Sequence, residues 1–197
     1  MMQVTSTSET SGRPAAKDGF TQGRPQRMQE LARDIAGAAY LRGDFVLSSG
    51  ARSNYYFDKY LFATKPSILR RVSSLLLELV PPGVDRIAGP ELGAVALAAG
   101  LSLESGLPFV IVRKDGKSYG TSRLVEGELY PGETVLVLED VISSGAQAIS
   151  AARRVEEAGA RVTGILGVID REQGGAQNIE AQGYRFSALF TRSDLGV

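Results

Sequence analysis

No cysteine and no histidine occur anywhere in the 197 residues. The first absence removes disulfides, thiolate nucleophiles and cysteine metal sites, and the second removes the commonest neutral-pH base and metal ligand. Hydrolase triads and zinc centres are thereby excluded. Charge of either sign is not in excess, since Lys+Arg and Asp+Glu both number 22. No global basic field argues for a nucleic acid partner, and no imbalance argues for a membrane surface. Long hydrophobic runs are missing as well: nothing approaches the ~20 apolar residues of a membrane span, and residues 1–25 lack an apolar signal core. The expectation is a soluble, cytoplasmic protein that meets neither nucleic acid nor membrane.

What is present suffices for one substantial core, at 43% hydrophobic content. Residues 1–25 are rich in Ser, Thr, Gly and Gln without an apolar period, and read as a disordered extension ahead of one domain over 26–197. Leu31, Ile35, Ala38 and Ala39 recur at helical spacing over 26–41, with Gly43 as a stop. Phe45–Leu47 and Tyr55–Phe57 suggest a hairpin or two short strands, and Ile68, Leu69, Val72, Leu75, Leu76 and Leu79 mark a helix closed by Pro81-Pro82-Gly83. Thereafter strands and helices alternate: strand 86–88, helix 92–105, strand 109–112, strand 134–138, helix 146–158, strand 161–169. That order predicts an α/β fold whose mostly parallel sheet is flanked by helices.

In such sheets ligands collect beyond the carboxyl ends of the strands. Gly89-Pro90-Glu91, Arg113-Lys114, Glu139-Asp140 and Asp170-Arg171 all fall there. The densest signal is TVLVLEDVISSGAQ at 134–147: a buried strand, two carboxylates expected to end it, and a hydroxyl-rich turn into a helix. The turn offers N–H groups, hydroxyls and a helix N-terminus to a phosphate, while the acids suit the hydroxyls of its sugar. Alone, the same pattern also describes a solvated turn with an N-cap. Arg113-Lys114 alone could be solvated strand-end charges, Asp170-Arg171 a local ion pair, and the 55–57 aromatics plain hairpin packing.

VLVLEDVISSG resembles the phosphoribosyl-pyrophosphate (PRPP) motif of type I phosphoribosyltransferases, and RKDGKSYG at 113–120 resembles the lid segment of the orotate phosphoribosyltransferases. FVLSSGARSNYYFD at 45–58, GPELG at 89–93 and IDREQGG at 169–175 extend the similarity. The resemblance implies the type I phosphoribosyltransferase fold with a small N-terminal hood and a flexible lid over about 115–127. It implies transfer of the 5-phosphoribosyl group from PRPP to orotate, giving orotidine 5′-monophosphate and pyrophosphate in pyrimidine biosynthesis. Mg²⁺ would bridge substrate oxygens with no confident protein ligand, and a homodimer would share its active sites.

By the same resemblance Lys117 and Asp140 are the catalytic pair. PRPP would be bound by Arg113, Lys114, Lys117, Tyr119, Glu139, Asp140, Val141, Ile142, Ser143, Ser144, Gly145, Ala146 and Gln147. Arg171, Ser143, Tyr56 and Phe57 would hold orotate. The chain departs from the family pattern at Ser48, Gly93 and Tyr119, where many or some members place lysine, lysine and histidine. Two alternatives stay open: a phosphoribosyltransferase for a purine or other base, and a non-catalytic PRPP-sensing regulator.

Overall fold

The computed structural model describes residues 23–46, 50, 52–114 and 124–197. Helix α1 (Arg24–Ala39) opens the described chain, two residues ahead of the expected start, with Pro25 in the first turn where its missing N–H costs nothing. Its entry is tied down by Arg24 and Arg27, which bond Glu78 at 2.7 and 2.8 Å. The helix ends at Ala39, not at Gly43. Gly43 lies instead in strand β1 (Tyr40–Val46), which pairs antiparallel with β2 (Arg52–Phe57) through a register shift between Arg42 and Phe45. This two-stranded sheet is the hood. A short helix α2 (Lys59–Ala63) follows, its N-terminus capped by the Asp58 carboxylate accepting from Tyr60 N.

Helix α3 (Pro66–Leu77) buries Ile68, Val72, Leu75 and Leu76, as its periodicity predicts. Then come β3 (Arg86–Pro90), α4 (Gly93–Ser105), β4 (Phe109–Val112), β5 (Val125–Glu126), β6 (Thr134–Ile142), α5 (Ala146–Glu157), β7 (Arg161–Asp170), α6 (Gly175–Ala181) and β8 (Phe186–Thr191). The main sheet has the order β5-β4-β3-β6-β7-β8, parallel throughout except for the antiparallel edge pair β4–β5. The mostly parallel α/β architecture expected from the alternation is the one observed.

Period-two alternation along β6 divides the core. Leu136 and Leu138 pack with α1, α3 and α4 on one face, and Val135 and Val137 with the alanines of α5 on the other. With both faces covered, this central strand is buried over six consecutive residues, 135–140. The carboxyl ends of β3, β4, β6 and β7 consequently open side by side at one edge of a rigid slab.

Candidate active site

The expectation that Glu139 and Asp140 end their strand is corrected. Strand β6 runs on to Ile142 because β7 continues to pair with it, Glu139 opposite Gly167, Val141 opposite Ile169, and Ile142 opposite Asp170. Both acids are therefore embedded in the sheet, Glu139 3% and Asp140 0% exposed. A buried carboxylate demands compensation. Asp140 receives it from Lys59, whose Nζ lies 2.9 Å from Oδ2 and 3.2 Å from Oδ1, and from Val141 N at 2.6 Å. Burial alone would depress the Lys59 ammonium, but the Asp140 carboxylate outweighs it and holds the group above its ordinary value. Glu139 Oε2, like Asp140 Oδ2, is buried without a hydrogen bond. Burial, reinforced by the Asp140 charge, pushes the Glu139 carboxyl well above the usual range.

The turn after β6 is held from below. Gly145 has φ +79°, and a Cβ there would come 2.9 Å from Ile179 Cγ1 and 3.0 Å from the Gly175 carbonyl. A Cβ on Gly175 would stand 2.4 Å from Ile142 Cγ2 and 2.5 Å from the Ser143 carbonyl. Asn178 Nδ2 donates to the Ser144 carbonyl at 3.0 Å. The glycines of IDREQGG thus allow α6 to sit directly under the Ser143-Ser144-Gly145 turn. Above it, Ser144, Ala146 and Gln147 are exposed at the positive end of α5, with Ala146 N donating to Ser144 Oγ at 3.5 Å. Val141 and Ile142 contribute backbone and shape, with the Ile142 carbonyl accepting from Arg171 N at 2.8 Å. The Gln147 side chain is engaged elsewhere, donating to the Glu91 carbonyl at 3.4 Å.

At the end of β4, Arg113 and Lys114 stand beside this crevice. The Glu91 carboxylate accepts from Lys114 N at 2.6 Å, and Arg113 N donates to the Leu124 carbonyl at 2.8 Å. Glu91 therefore pins the start of the basic segment to the loop after β3, a role that sequence reasoning missed. Lys117 and Tyr119, like Ser48, lie outside the described residues.

Arg171 follows β7 and is half-buried. The alternative of an Asp170–Arg171 ion pair is not what forms: Asp170 Oδ1 accepts from Glu172 N at 2.9 Å, while Arg171 Nη2 lies 3.5 Å from Tyr55 Oη. The aromatic expectation needs correction as well. Alternation along β2 puts Tyr55 and Phe57 on one face and Tyr56 on the other. Tyr55 stacks on Tyr40 with centroids 5.4 Å apart, Phe57 packs against Phe62 at 6.1 Å, and Tyr56 is 40% exposed beside Phe45. The ring that meets Arg171 is that of Tyr55, while Tyr56 and Phe57 do not share one pocket wall.

No cluster of three or more metal-ligating acids occurs among the described residues. Nor is any described helix long and apolar enough to cross a membrane. The arrangement can hold a phosphate at the turn, hydroxyl groups at Glu139 and Asp140, a second anion at the lysines, and an acidic planar group near Arg171.

Comparison with known proteins bears on this arrangement. The profile of the phosphoribosyl transferase domain matches residues 64–181. Among curated proteins, an orotate phosphoribosyltransferase of Methanocella arvoryzae is 44% identical over 153 residues, covering 78% of this chain and 87% of the relative. That of Pyrococcus abyssi is 42% identical over 171 residues, covering 85% and 94%. Among solved structures, Mycobacterium tuberculosis orotate phosphoribosyltransferase in complex with PRPP superposes with a TM-score of 0.76 at 30% identity, covering 87% of this chain and 99% of that one.

Proposed function

Because the chain belongs to the orotate phosphoribosyltransferase family, we propose a division of its own residues across the reaction of that family. The enzyme transfers the 5-phosphoribosyl group from PRPP to orotate, releasing pyrophosphate and orotidine 5′-monophosphate for pyrimidine biosynthesis. Substitution at the anomeric carbon passes through an oxocarbenium-like state, so the protein's task is to place groups and neutralise charge.

The Ser143-Ser144-Gly145 turn and the first N–H groups of α5, from Ala146 and Gln147 onward, take the 5′-phosphate. Asp140, held by Lys59 and Val141 N, accepts from the ribose hydroxyls. Glu139, with an unpartnered oxygen, completes its hydrogen bonding when a hydroxyl arrives. That orphaned Oε2 at the carboxyl edge of the sheet is the observation that carries the assignment. Arg113, Lys114 and Lys117 stabilise the departing pyrophosphate, with Tyr119 as a further donor. Arg171 forms the fork for the orotate carboxylate, Ser143 assists, and the Tyr55–Phe57 side of the hood borders the ring.

Mg²⁺ fits as an ion carried by PRPP. It is a hard cation that keeps waters and phosphate oxygens. It would supply charge neutralisation on the pyrophosphate. A homodimer, with each lid serving the neighbouring site, is the assembly that the family resemblance supports. Both substrates are anions that cross bilayers poorly, which supports a cytoplasmic setting.

The decisive experiment follows the orotate absorbance after addition of PRPP and Mg²⁺ to the purified chain, with adenine and hypoxanthine as competing bases. Loss of absorbance, unaffected by the purines, is expected. Turnover of a purine with none of orotate would overturn the assignment of the base.

A further inference from the structure

Lys59 belongs to none of the motifs that carry the family resemblance at this edge of the sheet, yet among the described residues it is the cation that pairs with Asp140. It stands at the start of α2, directly after the hood, and crosses to a strand 81 residues further along the chain. An ammonium has three donors, and the two oxygens of one carboxylate engage at most two of them in this geometry, so at least one N–H is left. The accessibility of the pair is one-sided: the Asp140 side chain is 1% exposed and that of Lys59 is 29% exposed. The open face of the ion pair is therefore the lysine's.

Gly93 leaves the room that this pair occupies. A Cβ at position 93 would stand 1.6 Å from Asp140 Oδ2 and 3.1 Å from Lys59 Cε. A side chain at position 93 would collide with this pair, and the positive charge at this spot comes from α2 instead. The ribose hydroxyls assigned to Asp140 neighbour the anomeric carbon, whose substituent is the pyrophosphate. A donor about 3 Å from the Asp140 oxygens therefore lies alongside that leaving group.

We propose that Lys59 is a further binding residue of this site, donating from its unspent N–H to an oxygen of the pyrophosphate half of PRPP while Asp140 accepts from the ribose. The inference rests on the PRPP reading above. It assigns to Lys59 two simultaneous tasks: holding Asp140 in the free protein, and meeting the second anion of the substrate.

The test uses the full chain with Lys59→Met and Lys59→Arg. Titration with inorganic pyrophosphate in the presence of Mg²⁺, and separately with ribose 5-phosphate, isolates the two halves of the substrate. Lys59→Met is expected to weaken pyrophosphate binding about tenfold or more, the loss of one charge-assisted hydrogen bond, and to weaken ribose 5-phosphate binding by a clearly smaller factor, through the lost support of Asp140. The KM for PRPP should rise in parallel with that of orotate unmoved, and Lys59→Arg should recover part of the loss. Pyrophosphate binding equal to that of the unmodified chain, or equal weakening of both ligands, would overturn the proposal and leave Lys59 as a support for Asp140 alone. An unmodified chain that binds both ligands but does not consume orotate would refute the orotate reading while leaving this one standing.

Discussion

Two buried ion pairs sit on opposite ends of β6, and they are built differently. At the amino end Arg86, 6% exposed, places Nε and Nη2 each 2.8 Å from the Glu133 carboxylate. Tyr130 N adds a third bond to Glu133 at 3.0 Å, and the guanidinium lies 5.8 Å from the Tyr130 ring centroid. At the carboxyl end a lysine replaces the arginine fork, and the neighbouring Glu139 keeps a buried oxygen with no partner. The first pair is closed, with both Glu133 oxygens and Arg86 Nε and Nη2 engaged by protein. The second is incomplete in the way that a polyhydroxylated anion would complete. The contrast separates an ion pair that holds a sheet together from one that a ligand finishes.

The largest effect should come from breaking the open pair. Asp140→Asn is expected to lower kcat/KM for PRPP roughly a hundredfold while leaving the unfolding midpoint nearly unchanged, as judged by orotate depletion and thermal melting. Loss of stability matching the loss of rate would erase the distinction between the two ends. Next in size, Glu133→Ala should cost about 2 kcal/mol in urea unfolding, because it strands a buried guanidinium, with turnover at saturating substrate unaffected. A slower enzyme of normal stability would show that the amino end also reports to the site.

Arg171 offers a third cation, open like Lys59. Arg171→Ala should raise the KM for orotate about tenfold and leave that for PRPP in place; equal changes in both would join the base and sugar subsites into one.

The smallest effects concern pH, and the two acids have opposite signs. The hydrogen bonds from Arg86 outweigh burial and hold Glu133 below its ordinary value of 4.5. Its contribution is present above that value and fades as pH falls through the lowered one. Glu139 is raised, first by burial and then by Asp140. Its contribution is full below 4.5 and is lost as pH rises through the raised value. Unfolding midpoints across pH should accordingly lose their acid limb in Glu133→Gln and flatten on the alkaline side in Glu139→Gln. No change in either variant would mean that neither pair couples protonation to folding.

Much of this was legible in residue order. The alternation of apolar runs from Arg86 onward forecasts the parallel sheet, because a strand covered on both faces must be apolar along its length, as 135–138 is. The turn at 143–145 could be read from its Ser-Ser-Gly chemistry. Other features were hidden for physical reasons. Carboxylates ordinarily mark strand ends, so the continuation of β6 through Glu139 and Asp140 became visible only with the β7 pairing that sustains it. The five residues of α2 and the two of β5 are too short to show a period. Lys59 meets Asp140 through tertiary packing that no local spacing encodes; the one hint was the glycine at 93, where some family members place a cation. Tyr55, not Tyr56, faces Arg171 because the phase of β2 is set by its pairing with β1.

The close approach of α6 to the phosphate turn has a thermodynamic side. With Gly175 against the Ser143 carbonyl, Gly145 against Ile179 and Asn178 bonded to Ser144, the turn has little freedom left to lose when an anion arrives. Its ordering entropy is spent when the chain folds, so affinity for a sugar phosphate becomes a property of how well a seven-residue helix is seated. Loosening of α6 would then surface as weaker substrate capture well before it registered as unfolding.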